Sequence, residues 1–97
     1  MEETICDAIE NKKMLKFSYT EGERTVEPYC YGKSKTGKLV LRAFQVNGFS
    51  GSGEKEGWKL FSLEKISGLK WTGEFFTQIR PDYNPNDKGM IEIICNI

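Results

Sequence analysis

The most constraining feature of this chain is the spacing of its apolar residues, which changes near residue 13. Close to the N-terminus three of them recur at intervals of three and four: Ile5, Ala8 and Ile9. The next three recur at intervals of two: Leu15, Phe17 and Tyr19. The first spacing predicts a short amphipathic helix over about residues 3–13, and the second predicts a strand with one buried face. We therefore expect one helix followed by a sheet.

The rest of the chain has the composition of short strands separated by turns. Strands are predicted over residues 25–31, 39–46, 58–63, 69–71 and 90–97, with the strand at 39–46 in the middle of the sheet. Pro28 has no amide hydrogen to donate, so the strand that contains it must lie at an edge or carry a bulge. About six short strands without βαβ alternation predict a mainly β fold, a small closed or half-closed barrel. A helix lying on an open sheet is the alternative.

Length and charge narrow the possible functions. Ninety-seven residues suffice for a single domain, which is predicted to span residues 1–97. The acidic N-terminus does not resemble a secretory signal and no apolar run is long enough for a membrane helix, so we expect a cytoplasmic protein without membrane contact. The formal net charge is zero, but residues 11–42 carry eight bases and three acids. A polyanion is expected to bind at this local excess.

The three cysteines, Cys6, Cys30 and Cys95, are odd in number and widely separated. They lack the Cys-x-x-Cys spacing of zinc sites and do not resemble the framework of a disulfide-rich domain. All three are therefore predicted to be small buried apolar side chains.

No motif points to catalysis, to a metal or to a cofactor. The sequence contains no histidine, the commonest general base and metal ligand. Residues 48–53 are rich in glycine and serine but lack the Gly-Lys-Ser/Thr ending of a phosphate loop. Residues 82–87 place oxygens as a calcium loop does, yet Asp87 stands where that loop needs glycine. A domain that is not an enzyme and uses no cofactor is predicted.

Three segments, in order, resemble the WYL domain, a small SH3-like or Sm-like barrel found in bacterial regulators. They are residues 5–19, the Arg-x-Val-x-Pro-aromatic stretch at 24–29, and residues 57–66, which are similar to a Trp-Arg-x-Phe-Arg-Leu-Asp-Arg-Ile run. At the position of the family's signature Trp-Tyr-Leu tripeptide this chain departs from the pattern, because residues 39–41 are Leu-Val-Leu. The resemblance implies a barrel over about residues 15–76, followed by a C-terminal turn and strand over about residues 81–97.

Members of this family are commonly non-catalytic ligand-sensing or nucleic-acid-binding modules in transcriptional regulation. The resemblance therefore implies that the chain binds an anionic ligand such as a nucleotide, an oligonucleotide or a single-stranded nucleic acid. The alternative is a protein–protein interaction or homodimerisation module that uses the edge marked by Pro28 and the strand at 90–97.

Seven residues are candidates for the ligand site: Arg42, Lys59, Gln45, Tyr29, Ser50, Ser52 and Trp58. Arg42 lies among apolar residues of a predicted strand, so it must contact a ligand or form a salt bridge with Glu27 or Glu64. Lys59 either flanks the same face and completes an anion site, or stays solvated. Gln45 and the two serines would add neutral hydrogen bonds. Tyr29 or Trp58 would stack on a base, unless Trp58 belongs to the core.

Overall fold

The computed structural model describes residues 1–48 and 56–97. In chain order the elements are helix α1 (Glu2–Asn11), strands β1 (Lys13–Tyr19), β2 (Gly22–Lys33), β3 (Leu39–Gly48) and β4 (Gly57–Ser62), a 3-10 turn (Leu63–Lys65), and strands β5 (Ser67–Phe75) and β6 (Glu92–Asn96). The predicted mainly β fold, with one N-terminal helix and six strands, is confirmed.

Helix α1 forms where the three-and-four spacing of apolar residues predicted it. Its buried residues are Ile5, Ala8 and Ile9, which pack against the sheet. The helix is capped by Lys12, whose φ of 52° is left-handed and whose amide donates to the carbonyls of Ala8 and Ile9. Within residues 1–48 and 56–97, no helix is both long enough and apolar enough to cross a membrane.

The six strands form one antiparallel sheet in the order β4-β3-β2-β1-β5. Strand β6 pairs with the C-terminal half of β2, beyond the end of β1. Strand β3 lies between β2 and β4, as its apolar composition predicted. Among the described residues no ladder joins β4 to β5, so the sheet is open and closure into a barrel stays a prediction.

Pro28 marks a bulge and not an edge. Strand β2 is paired on both sides, and the register with β3 passes from Pro28↔Ala43 to Cys30↔Arg42, which leaves Tyr29 without a residue opposite it. Because of this extra residue, Tyr29 and Cys30 both lie on the face that carries Arg42. The proposed use of a Pro28 edge for docking is therefore wrong.

The two faces of the sheet are covered by different parts of the chain. On the inner face, α1 closes a core that includes Phe17, Val26, Leu41 and Phe61. The outer face of β2, β3 and β4 is covered by residues 76–91, a segment without regular secondary structure that we call the strap. The strap contributes Phe76, Tyr83 and Met90 to this second packed layer.

The cysteine prediction is wrong for two of the three residues. Cys6 on α1 and Cys95 on β6 form a disulfide, with Cα atoms 5.8 Å apart and a sequence separation of 89 residues. Disulfides are typical of oxidising compartments, so cysteine usage gives no support to a cytoplasmic location. The third prediction is confirmed, because Cys30 is a buried free thiol whose pKa burial raises to about 11.

Candidate ligand-binding cleft

Arg42 lies on the outer face of β3 and forms a bidentate ion pair with the strap. Its Nε donates to Oδ2 of Asp87 at 2.7 Å and its Nη2 donates to Oδ1 at 3.1 Å. The Asp87 side chain is 6% exposed and that of Arg42 is 27% exposed. The hydrogen bond from Arg42 lowers the pKa of Asp87, and the Gly89 amide adds a further bond to Oδ1. The salt bridge predicted with Glu27 or Glu64 is thus made with Asp87.

A second bidentate pair joins the strap to the same face with its polarity reversed. Arg80 of the strap donates from Nε and Nη2 to the two carboxylate oxygens of Glu27, at 2.9 and 3.0 Å. The Tyr29 hydroxyl donates to Glu27 at 3.3 Å and accepts the Arg80 amide at 3.0 Å. Glu64 instead accepts a bond from Lys38. Two arginine–carboxylate pairs therefore hold the strap on the sheet.

An aromatic cluster fills the space between these two ion pairs. Its members are Tyr29, Phe44, Trp58, Phe76 and Tyr83. Trp58 contacts Tyr29 and Phe44 edge to face and lies parallel to Tyr83, with ring centroids 6.1 Å apart. Its indole nitrogen donates to the Pro81 carbonyl at 3.1 Å. Trp58 is half-buried, so it packs in this second layer and also presents ring surface to solvent.

Arg42 and Trp58 line one open cleft of about 310 Å³ between β3, β4 and the strap. The strap completes its wall with six residues: Asp82, Tyr83, Asn84, Asp87, Lys88 and Gly89. The cleft therefore combines two cations, two carboxylates, one amide and two aromatic rings. Its volume is at the lower end of the range for small-molecule sites, about 300–1,000 Å³.

The geometry does not bring the other predicted residues into this cleft. Gln45 is fully buried, and its side-chain oxygen accepts a bond from Arg24 at 3.2 Å. Tyr29 is also fully buried, beneath Trp58 and Tyr83. Lys59 pairs with Ala43 while Arg42 pairs with Leu60, so Lys59 and Arg42 project to opposite faces of the sheet. Arg42 and Lys59 do not form one anion site. Ser50 and Ser52 lie outside the described residues.

The basic excess of residues 11–42 is partly neutralised in the fold. Three lysines pair with acids: Lys13 with Asp7, Lys16 with Glu23, and Lys38 with Glu64. Arg24 is buried and donates to Gln45 and to a backbone carbonyl. Four of the eight bases in this segment therefore have an acidic partner: Lys13, Lys16, Lys38 and Arg42.

Sequence reasoning missed the contribution of residues 82–89. Oxygens recur at alternate positions over residues 82–87, but Asp87 stands where a calcium loop needs glycine, so the sequence predicts a turn there. In the fold, both carboxylate oxygens of Asp87 accept hydrogen bonds from Arg42. Among the described residues, no group of three or more His, Cys, Asp or Glu side chains is placed to hold a metal ion. The sequence does show a run of turn-forming residues followed by Asp87-Lys88-Gly89, which predicts an irregular segment. No local sequence pattern predicts that this segment contacts Arg42, which is 45 residues away from Asp87.

No protein-family model, no curated protein and no solved structure matches this chain. The WYL-domain resemblance consequently stays a prediction, and the functional argument depends on the geometry of the cleft.

Proposed function

We propose that this chain is a non-catalytic binding module that holds a nucleotide-sized anionic ligand in the cleft lined by Arg42 and Trp58. The observation that carries the proposal is the presence of a partly exposed guanidinium and a partly exposed indole in one cleft of about 310 Å³. An arginine beside an aromatic ring suits a ligand with both a phosphate and a planar base.

Arg42 keeps binding capacity although it is paired. Asp87 engages Nε and Nη2, and Nη1 makes no hydrogen bond within residues 1–48 and 56–97. A phosphate oxygen would accept from Nη1, and the exposed ammonium of Lys88 lies on the same wall. Because Asp87 and Asp82 are also present, the cleft is not a strong electrostatic trap, and we expect modest affinity for phosphate alone.

The aromatic and amide groups would supply the rest of the recognition. A base stacked on Trp58 or Tyr83 would gain about 1–3 kcal/mol. The carboxylate of Asp82 and the amide of Asn84 line the same cleft and can accept or donate hydrogen bonds at the edge of a base. Neither the phosphate contact nor the stacking requires a reacting group, which is consistent with a module that is not an enzyme.

The cleft suits one nucleotide better than a long strand. A single strand needs a basic groove that follows several phosphates, and half of the lysines of residues 11–42 are paired with acids. The resemblance to WYL domains supports a regulatory role for a module that binds such a ligand. The strand order, with a 3-10 turn before β5, supports an SH3-like or Sm-like barrel as the architecture.

The test is a calorimetric titration with nucleoside monophosphates and with short single-stranded oligonucleotides, at low and near-physiological salt. Arg42→Lys keeps the charge but loses the bidentate geometry, and Lys88→Gln removes a cation from the rim of the cleft. Lys35→Gln is the matched control, because Lys35 is exposed and does not line the cleft. The proposal predicts saturable nucleotide binding that both cleft variants weaken and the control leaves unchanged. Binding that is insensitive to Arg42 and Lys88 would place the site elsewhere.

A second candidate function is homodimerisation through the C-terminal strand. Ile91, Ile93 and Ile94 are 66%, 37% and 37% exposed, which is unusual for three aliphatic residues within four positions. Ile94→Lys would abolish a dimer that depends on this surface, and sedimentation equilibrium would detect the change. A chain that is monomeric at all accessible concentrations would exclude this function.

A further inference from the structure

A groove separate from the ligand cleft lies between α1 and β5. It is lined by residues of the helix, of β1 and of β5: Glu3, Thr4, Asp7, Ala8, Lys13, Leu15 and Trp71. Its volume is about 340 Å³. The groove shares no lining residue with the cleft at Arg42, so it is a separate candidate site.

Two aromatic rings are exposed along this edge of the sheet. Trp71 is 43% exposed and Phe75 is 55% exposed, and their rings contact each other edge to face with centroids 5.2 Å apart. The indole nitrogen of Trp71 donates to the Glu74 carbonyl at 2.9 Å, which fixes the orientation of the ring. Large aromatic side chains that are exposed but held in place are typical of interaction sites.

The charge of the groove selects the kind of partner. Residues 1–10 carry four acids and no base, and Glu3 and Asp7 both line the groove. Glu3 makes no ion pair within residues 1–48 and 56–97. Two carboxylates and an exposed indole in one groove are complementary to a cation that carries apolar stem atoms, which is the chemistry of lysine and arginine.

The chain itself places one ammonium in this groove. Lys13 Nζ donates to Asp7 Oδ2 at 2.8 Å and lies 4.9 Å from the centroid of the Trp71 ring. We propose that the groove docks a Lys/Arg-containing peptide segment of a partner protein. A cationic side chain of that segment lies between Glu3 and the exposed surface of Trp71, and a neighbouring apolar side chain contacts Phe75.

The shape of β5 favours a partner peptide that binds through its side chains over one that adds a strand to the edge of the sheet. The register between β1 and β5 passes from Lys13↔Phe75 to Leu15↔Trp71, so β5 carries a bulge around Gly73, whose φ is 94°. At this bulge the Glu74 amide donates to the Thr72 hydroxyl at 3.1 Å. An added strand would meet an irregular edge, whereas the groove and the two rings remain accessible to side chains.

The experiment measures the fluorescence anisotropy of a labelled seven-residue peptide of alternating lysine and leucine. A peptide of alternating glutamine and leucine is the neutral control. We expect saturable, salt-sensitive binding of the lysine peptide only. Trp71→Ala and the double change Glu3→Gln with Asp7→Asn are each expected to weaken it about tenfold, the size of a cation–π contact or an ion pair in a partly desolvated groove.

Matched variants separate docking from non-specific attraction. Glu21→Gln with Glu92→Gln removes the same charge at two exposed positions away from the groove and is expected to leave the affinity unchanged. Arg42→Lys is also expected to leave it unchanged, so failure of the nucleotide proposal does not affect this one. Phe75→Ser replaces Trp71→Ala if circular dichroism shows that the latter is unfolded. No saturable binding, equal binding of the glutamine peptide, or equal weakening by both acidic double changes would overturn the proposal.

Discussion

Arg42 and Asp87 are 45 residues apart in sequence and form a bidentate ion pair across the outer face of the sheet. The pair holds the strap on β3. It also uses two donor atoms of Arg42, Nε and Nη2, and Arg42 is the arginine that lines the cleft. Under the proposed function, a ligand phosphate would compete with the Asp87 carboxylate for Arg42. Such competition would give the pair a role in affinity as well as in stability.

Asp87→Asn is expected to raise the affinity of the cleft for a nucleoside monophosphate by about tenfold, because it removes a negative charge from beside Arg42. The free energy of unfolding should fall by about 1–3 kcal/mol, less than for a fully buried pair because Arg42 is partly solvated. Calorimetric titration and urea denaturation measure the two effects. Weaker nucleotide binding by a folded Asp87→Asn protein would show that Asp87 orients Arg42 for the ligand instead of competing with it.

Arg80→Met is expected to lower the free energy of unfolding by about 2 kcal/mol, because it leaves the buried carboxylate of Glu27 without its counter-ion, a loss that the partial exposure of Arg80 reduces. Methionine retains apolar contact with Phe44, over which the Arg80 guanidinium lies at 4.4 Å. Lys38→Met removes an exposed pair with Glu64 and should change the free energy by at most about 1 kcal/mol. Urea denaturation of both variants checks the contrast, and equal losses would mean that the Glu27 pair does not hold the strap.

Alkaline pH is expected to destabilise the fold through its buried phenols. Burial raises the pKa of Tyr29 and of Tyr31 to about 12, above the value of about 10 for an unfolded tyrosine. Since the folded state keeps these protons longer, their contribution to stability is complete below pH 10 and is lost as the pH rises towards 12. Near-ultraviolet absorbance should show late-titrating phenols that are absent in denaturant. Titration of every tyrosine near pH 10 in the folded protein would contradict the burial of these two.

The Cys6–Cys95 disulfide is expected to stabilise the fold by about 4 kcal/mol, because it closes a loop that contains almost the whole chain. Cys6→Ala with Cys95→Ala should unfold at a correspondingly lower urea concentration. Thiol titration of the untreated protein should detect almost no reactive thiol when folded, one in denaturant, and three after reduction, since Cys30 is buried. Two or more reactive thiols before reduction would show that the disulfide is not formed.

The sequence was sufficient for those parts of the fold that depend on local spacing. The helix, all six strands and the central position of β3 follow from periodicity and composition, and Pro28 correctly restricted β2 to an edge or a bulge. Partners that are distant in sequence were not accessible in this way. Asp87 for Arg42 and Cys95 for Cys6 are brought close by the course of the strap and β6, and no local pattern encodes that course.

The candidate site was predicted in part. Arg42 and Trp58 do line one cleft, whereas Lys59 lies on the other face because the face of a residue depends on register. Gln45 is predicted to contact the ligand because it is a polar residue in a strand, but its buried side chain accepts a bond from Arg24 in the interior. A polar residue in a strand has the same sequence signature whether it faces a ligand or a buried partner.

The most direct test of the nucleotide cleft is a titration of the isotope-labelled chain with a nucleoside monophosphate, followed by NMR of the backbone amides and the tryptophan side chains. We predict saturable shifts at Arg42, at the Trp58 indole and along residues 82–89, with the Trp71 indole unchanged. Shifts that do not saturate, or that saturate without involving Arg42 and the strap, would contradict the assignment of this cleft as the ligand site.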